Sequence, residues 1–170
     1  MREHRQETLI KGLLLIYLLA LTWIILFKMQ IPLSEIGKMD YRNLNLIPFR
    51  GSVIVNEKIE LSEIILNVIA FIPYGVYVSM LKEDWSLLQK AVPIFATSFL
   101  YEALQYIFAI GASDITDLLG NTIGGLIGII LFSLLSKILK ENTIKVISIL
   151  AVIGTVCMIL FMGILIIANL

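Results

Sequence analysis

The sequence predicts an all-α integral membrane protein, a bundle of about five transmembrane helices with a long loop between the first two. Hydrophobic residues make up 59% of the 170 positions and charged residues only 15%, against roughly 45–50% and about 25% in soluble domains. The mean hydropathy of +0.95 agrees. Five apolar runs also recur at the roughly 20-residue length that a helix rising about 1.5 Å per residue needs to cross the hydrocarbon. At this length the chain is read as a single membrane domain, residues 1–170.

The first run is Leu9–Phe27. Arg2, Arg5 and Lys11 give it the look of a secretory leader, but no small-x-small cleavage site follows and Lys28-Met29-Gln30 closes it, so it reads as a retained signal anchor. The second run, about Leu61–Leu81, contains Asn67, Pro73 and Gly75. Pro73 removes a backbone donor and bends or loosens its helix, and Gly75 allows close approach. The third, Leu87–Ile110, carries Ser98, Glu102 and Gln105 on one helical face. In the fourth, about Asp117–Ser136, Asp114, Asp117, Asn121, Gly124, Gly125 and Gly128 share one face. Asp114 suits an N-cap and Asp117 the first turn. The fifth, Ile144–Ala168, is almost wholly aliphatic or aromatic and reads as an additional C-terminal transmembrane helix over 144–168.

The loop Lys28–Glu60 is too long for a plain connector, since most connections run about 4–6 residues. Its segment Asn43-Leu44-Asn45-Leu46-Ile47-Pro48-Phe49 is an apolar patch bracketed by amides, expected to lie along the interface or to dip into the protein. Lys and Arg set orientation. With the N-terminus inside, Arg2, Arg5, Lys11, Lys82, Lys90, Lys137, Lys140 and Lys145 lie on the cytoplasmic side. Lys28, Lys38, Arg42, Arg50 and Lys58 then lie outside, mixed with acidic residues, and the C-terminus is extracytoplasmic.

A net charge of zero offers no basic field for nucleic acid. One cysteine, Cys157, and one histidine, His4 in the polar N-terminal tail, exclude an internal disulfide, an intramembrane Cys/His metal site and a Ser–His or Cys–His nucleophile. Any chemistry falls to carboxylates, amides, hydroxyls or backbone. A charge at membrane depth costs a few kcal/mol and should face a partner or a wet cavity. With the N-terminus inside, Asn67, Glu102 and Asn121 all lie about two turns below the outer surface, with Asp114, Asp117, Gln105 and the 43–49 segment above them. The expectation is a polar pocket open to the external face or outer leaflet.

Asn45-Leu46-Ile47-Pro48-Phe49, then Asn67 through Phe71 to Pro73-Tyr74-Gly75, then Ser98 with Glu102 and Gln105, then Asp114-Ile115-Thr116-Asp117 leading to Asn121 and the 124–128 glycines, form four ordered blocks. They resemble those of VanZ-like membrane proteins, over a core of residues 43–132. The resemblance implies a small multi-pass protein of the bacterial plasma membrane, in a family named for a member associated with teicoplanin resistance. Relatives often carry an arginine shortly before the first aspartate. Ile110-Gly111-Ala112-Ser113-Asp114 has none, so if that arginine pairs with an anionic ligand in relatives, this chain binds differently or lacks that step.

Teicoplanin is a lipid-bearing glycopeptide, so the pocket is expected to bind or handle a cell-envelope lipid or lipoglycopeptide. Asn45, Asn67, Ser98, Glu102, Gln105, Asp114, Asp117 and Asn121 would hold its polar part. Phe49, Phe71 and the Gly124, Gly125 and Gly128 track would accept an acyl chain, with Pro73 and Gly75 shaping the helix beside it. Membrane lipids are the expected partners, Gly124 is a candidate homodimer face, and no cofactor is expected. The alternatives are an intramembrane enzyme using Glu102 and Asp117 as acid and base or as ligands for a hard divalent cation, and a structural accessory in which Glu102 bonds Asn121 or Asn67.

Overall fold

The computed structural model describes residues 2–26, 41–49, 54–55, 58–59 and 61–168. Five α-helices dominate it: α1 (Arg2–Leu26), α2 (Ser62–Leu81), α3 (Leu87–Phe108), α4 (Ile115–Leu139) and α5 (Thr143–Ala168). Four helical stretches are long and apolar enough to cross a membrane: His4–Leu26, Ser62–Leu81, Leu87–Phe108, and a continuous Ile115–Ile164 that takes in α4, a 3-10 turn at Lys140–Asn142 and most of α5. Most of the loop expected over 28–60, with Phe27 and the basic residues Lys28, Lys38 and Arg50, lies outside the described residues.

The all-α expectation needs correcting at one end of the bundle. Tyr41–Asn45 forms strand β1, and Ile110–Asp114, expected to divide between the third helix and a short loop, forms strand β4. They pair in parallel, with Tyr41 opposite Ile110 and Asn45 opposite Asp114. Two short strands, β2 (Ile54–Val55) and β3 (Lys58–Ile59), pair antiparallel between them in sequence. The third helix stops two residues short of Ile110 because Ala109 takes the left-handed conformation (φ 55°) as its C-cap. There its N–H still reaches the carbonyls of Gln105 and Tyr106, and the following residues leave as a strand whose backbone groups are paired by β1.

Helices α2 and α4 make the closest approach. A Cβ on Gly124 would collide with the backbone of Val68, one on Gly128 with the carbonyl of Ile72, and one on Gly75 with the carbonyl of Gly125. A Cβ on Gly125 would meet the side chain of Ile94 on α3. Gly124 and Gly128 therefore face α2, Gly125 faces α3, and α4 is wedged between the two, a small-residue packing suited to helices in lipid. The space expected for an acyl chain along this glycine track is filled by α2 at Gly124 and Gly128 and by Ile94 of α3 at Gly125.

Phe71 is fully buried, with Leu21, Ile25, Tyr74, Ile94, Tyr101 and Ile129 around it, and its ring sits edge-on to Tyr74 and Tyr101. It belongs to the core. Pro73 deletes the N–H that would reach Ile69, and beside that gap the Tyr17 hydroxyl of α1 donates to the carbonyl of Ala70. Tyr101 of α3 reaches Thr22 of α1 at 2.9 Å, while Thr22 donates to Leu18. A second cluster of Ile10, Leu13, Tyr77, Met80, Phe132 and Ile147 holds α1, α2, α4 and α5 together at the opposite end from the strands.

Replacing Gly124 or Gly128 by valine is expected to cost about 1–3 kcal/mol through overpacking, read as a lowered melting temperature in detergent. Gly154→Ala, at a position with open space around it, should leave the melting temperature unchanged or slightly raised.

Candidate functional site

Strand β4 and the first turn of α4 gather the polar residues. Asp114 ends the strand and caps α4: its Oδ1 accepts from the Thr116 N–H at 2.7 Å, and its Oδ2 accepts from Asn45 Nδ2 at 3.0 Å. Asn45 Oδ1 in turn accepts from the Ile47 N–H at 3.2 Å, an Asx turn that brings the chain back over the site. Phe49 follows in a left-handed conformation (φ 63°), and its N–H donates to Thr116 Oγ1 at 3.0 Å. The segment 43–49 is thus tied down by its amides and backbone, while Leu46, Ile47 and Phe49 stay exposed.

Beneath this strap lies Glu102 of α3, a buried carboxylate. One oxygen, Oε2, accepts from the backbone N–H of Asp114 at 2.8 Å, and Ser113 lies beside the carboxylate. Glu102 does not bond Asn67 or Asn121, as the structural alternative expected. Asn121 instead donates to Ser98 Oγ at 2.9 Å, joining α4 to α3 one turn deeper. The difference follows from β4: by running back along α3, it puts a main-chain donor within reach of Glu102 before any helical amide. Gln105 donates to the Ile25 carbonyl at 3.1 Å and so satisfies one of the open carbonyls in the last turn of α1. Asn67, also buried, packs its Cβ beside Gly120 at the same level as Asn121.

Seven of the eight polar residues expected to bind a ligand belong to this one end of the bundle through strand pairing or direct hydrogen bonds, or, for the buried Asp117, through its place in the first turn of α4. Asn67 borders them through packing. Asp114 and Asp117 both act electrostatically on Glu102. Among the described residues no group of three or more His, Cys, Asp or Glu side chains is arranged to hold a metal ion.

Thr116 and Ser113 were missed in the sequence, as was Gly120. Thr116 is fully buried and anchors Phe49, and it stands four residues before Gly120, which stands four before Gly124. That spacing of four was the available signal. Ser113 had none, because its role depends on a strand that no alternation of apolar and polar residues announces.

After these hydrogen bonds are assigned, Glu102 Oε1, Gln105 Oε1 and Asn121 Oδ1 are buried without a donor among the described residues. Buried acceptors are nearly always paired in folded proteins, and these three lie on adjoining turns of two packed helices.

The sequence profile of the VanZ/LLP1 family matches residues 14–136, from the first helix through nearly all of α4. The chain belongs to the VanZ/LLP1 family. It is also 37% identical to Protein VanZ of Enterococcus faecium over 136 residues, covering 80% of this chain and 81% of that protein. No solved structure matches. The VanZ/LLP1 match contains every residue of the site and leaves α5 outside.

Removing the Glu102 carboxylate as Glu102→Leu should leave the Asp114 N–H without its partner, at a cost of about 1–3 kcal/mol. Ser98→Ala, which deletes one interhelical bond, should cost about 0.6 kcal/mol. Thermal unfolding of the two variants in the same detergent checks the order.

Proposed function

We propose that this protein binds or handles a cell-envelope lipid or lipoglycopeptide at the Glu102 site and so contributes to teicoplanin-type resistance. The observation that carries the reading is the set of buried acceptors on Glu102, Gln105 and Asn121. Hydroxyls and amide N–H groups, abundant on sugars and glycopeptides, are the donors that would complete it, with Asp114 and Asp117 beside them. The exposed Leu46, Ile47 and Phe49 on the strap offer an apolar surface for an acyl chain, in place of the glycine track. The likeness to Protein VanZ supports the same reading.

The chain crosses the bacterial plasma membrane five times, N-terminus inside. In support, α4 and α5 together run about 50 residues, near twice what one crossing needs, and they break at Lys140, whose φ of 51° and ψ of −124° turn the chain. After the break Ile147 packs against Ile10 and Leu13 of α1, and Met158 and Met162 line a groove with Ile16 and Leu19, so α5 runs back alongside α1 in the same direction. The lysine-bearing ends are then cytoplasmic and the Glu102 site faces outward.

Expression of the intact protein in a teicoplanin-sensitive Gram-positive host should raise the inhibitory concentration severalfold, and Asp117→Asn at equal membrane level should abolish the increase. Retention of resistance by that variant would move the function away from this site.

A further inference from the structure

A cavity of about 650 Å³ lies at the other end of the bundle, between the start of α3, the last turns of α4 and the 3-10 turn that leads into α5. That volume is within the roughly 300–1,000 Å³ of small-ligand sites. Its walls are mixed. Leu87, Ile129, Phe132 and Ile144 supply apolar surface, and Lys90 enters from α3. Lys90 is 9% exposed, and its ammonium donates to the backbone carbonyl of Glu83 at 3.0 Å. Among the described residues no carboxylate lies within ion-pair distance of it; the recorded pair is Lys11 with Glu7 on α1.

An ammonium carries three donors, and one carbonyl neither uses the others nor balances the charge. Burying an uncompensated cation is costly. It is costlier here because Lys90 stands in the first turn of α3, where the helix dipole is itself positive. The first residues of α5, Thr143 and Ile144, add a second helix N-terminus to the same cavity. Glu83 and Glu141 also line it, but both are exposed. Positive charge therefore lies inside and negative charge at the rim.

We propose that this cavity holds the phosphodiester of a membrane phospholipid. The phosphate oxygens accept from Lys90, with the exposed Lys140 at the edge, while Glu83 and Glu141 accept from hydroxyl or ammonium donors on the headgroup. From the cavity, Ile130, Leu134 and Ile138 form an exposed stripe at four-residue spacing along α4, the track for an acyl chain. Basic pockets between helices at the cytoplasmic surface bind lipid headgroups in this manner. The site is separate from the Glu102 constellation and stands or falls without it.

The test is thermal unfolding of the purified full chain in neutral detergent with added phosphatidylglycerol, diacylglycerol or inorganic phosphate, together with mass spectrometry of lipid retained through purification. Phosphatidylglycerol should raise the melting temperature by several degrees, and diacylglycerol and inorganic phosphate should not. Lys90→Gln should lose at least half of that rise and retain severalfold less phospholipid, whereas Lys90→Arg should keep both. If Lys90→Gln fails to fold, Lys140→Gln should still show a reduced rise. Equal rises with diacylglycerol and phosphatidylglycerol, a full rise with inorganic phosphate alone, or undiminished rises in the glutamine variants would overturn the proposal.

Discussion

The hydrogen bond from the Asp114 backbone to Glu102 sets the geometry of the whole polar end of the molecule. It fixes β4 against α3, and β4 in turn orders β1 by strand pairing. It also fixes the start of α4, since the same Asp114 caps that helix and holds Asn45. In the low-dielectric interior such a bond is stronger than its counterpart in water. Because a carboxylate has two oxygens, one can serve the fold while the other stays open to the proposed ligand.

The second constraint is the close packing of α2 on α4. Glycines at 75, 124 and 128 let the two backbones nearly touch, and Gly120 extends the same face toward Asn67. With no hydrophobic drive between helices in lipid, such contact supplies the cohesion that a soluble core gains from water. The consequence is that the α2–α4 contact is solid, with Phe71 sealed in the core beside it.

Much of this was legible in the sequence, and the misses have common causes. The helices follow from apolar runs of bilayer length, and Glu102, Gln105, Asp114, Asp117 and Asn121 stand out because polar groups at such depth are expensive. Their hydrogen-bond partners could not be read in the same way. Helical spacing places Glu102 near Asn121, but the nearer donor is the backbone of Asp114, presented by a strand of five residues too short to show a period. The glycine track showed where helices or a ligand could approach, and only packing decides which. Lys90 reads in the sequence as one more lysine on the expected cytoplasmic side, since a charge bias says nothing of burial.

The central claim is that Glu102 divides its two oxygens between the fold and a ligand. In Glu102→Gln the amide carbonyl would keep the Asp114 N–H, leaving an amide NH₂, a donor, where a ligand donor should arrive. Titration of fluorescent teicoplanin into the protein in lipid nanodiscs tests this directly. The account predicts an unchanged melting temperature and at least a tenfold weaker Kd, about 1.4 kcal/mol. An equally stable variant that binds as tightly as the native protein would contradict it.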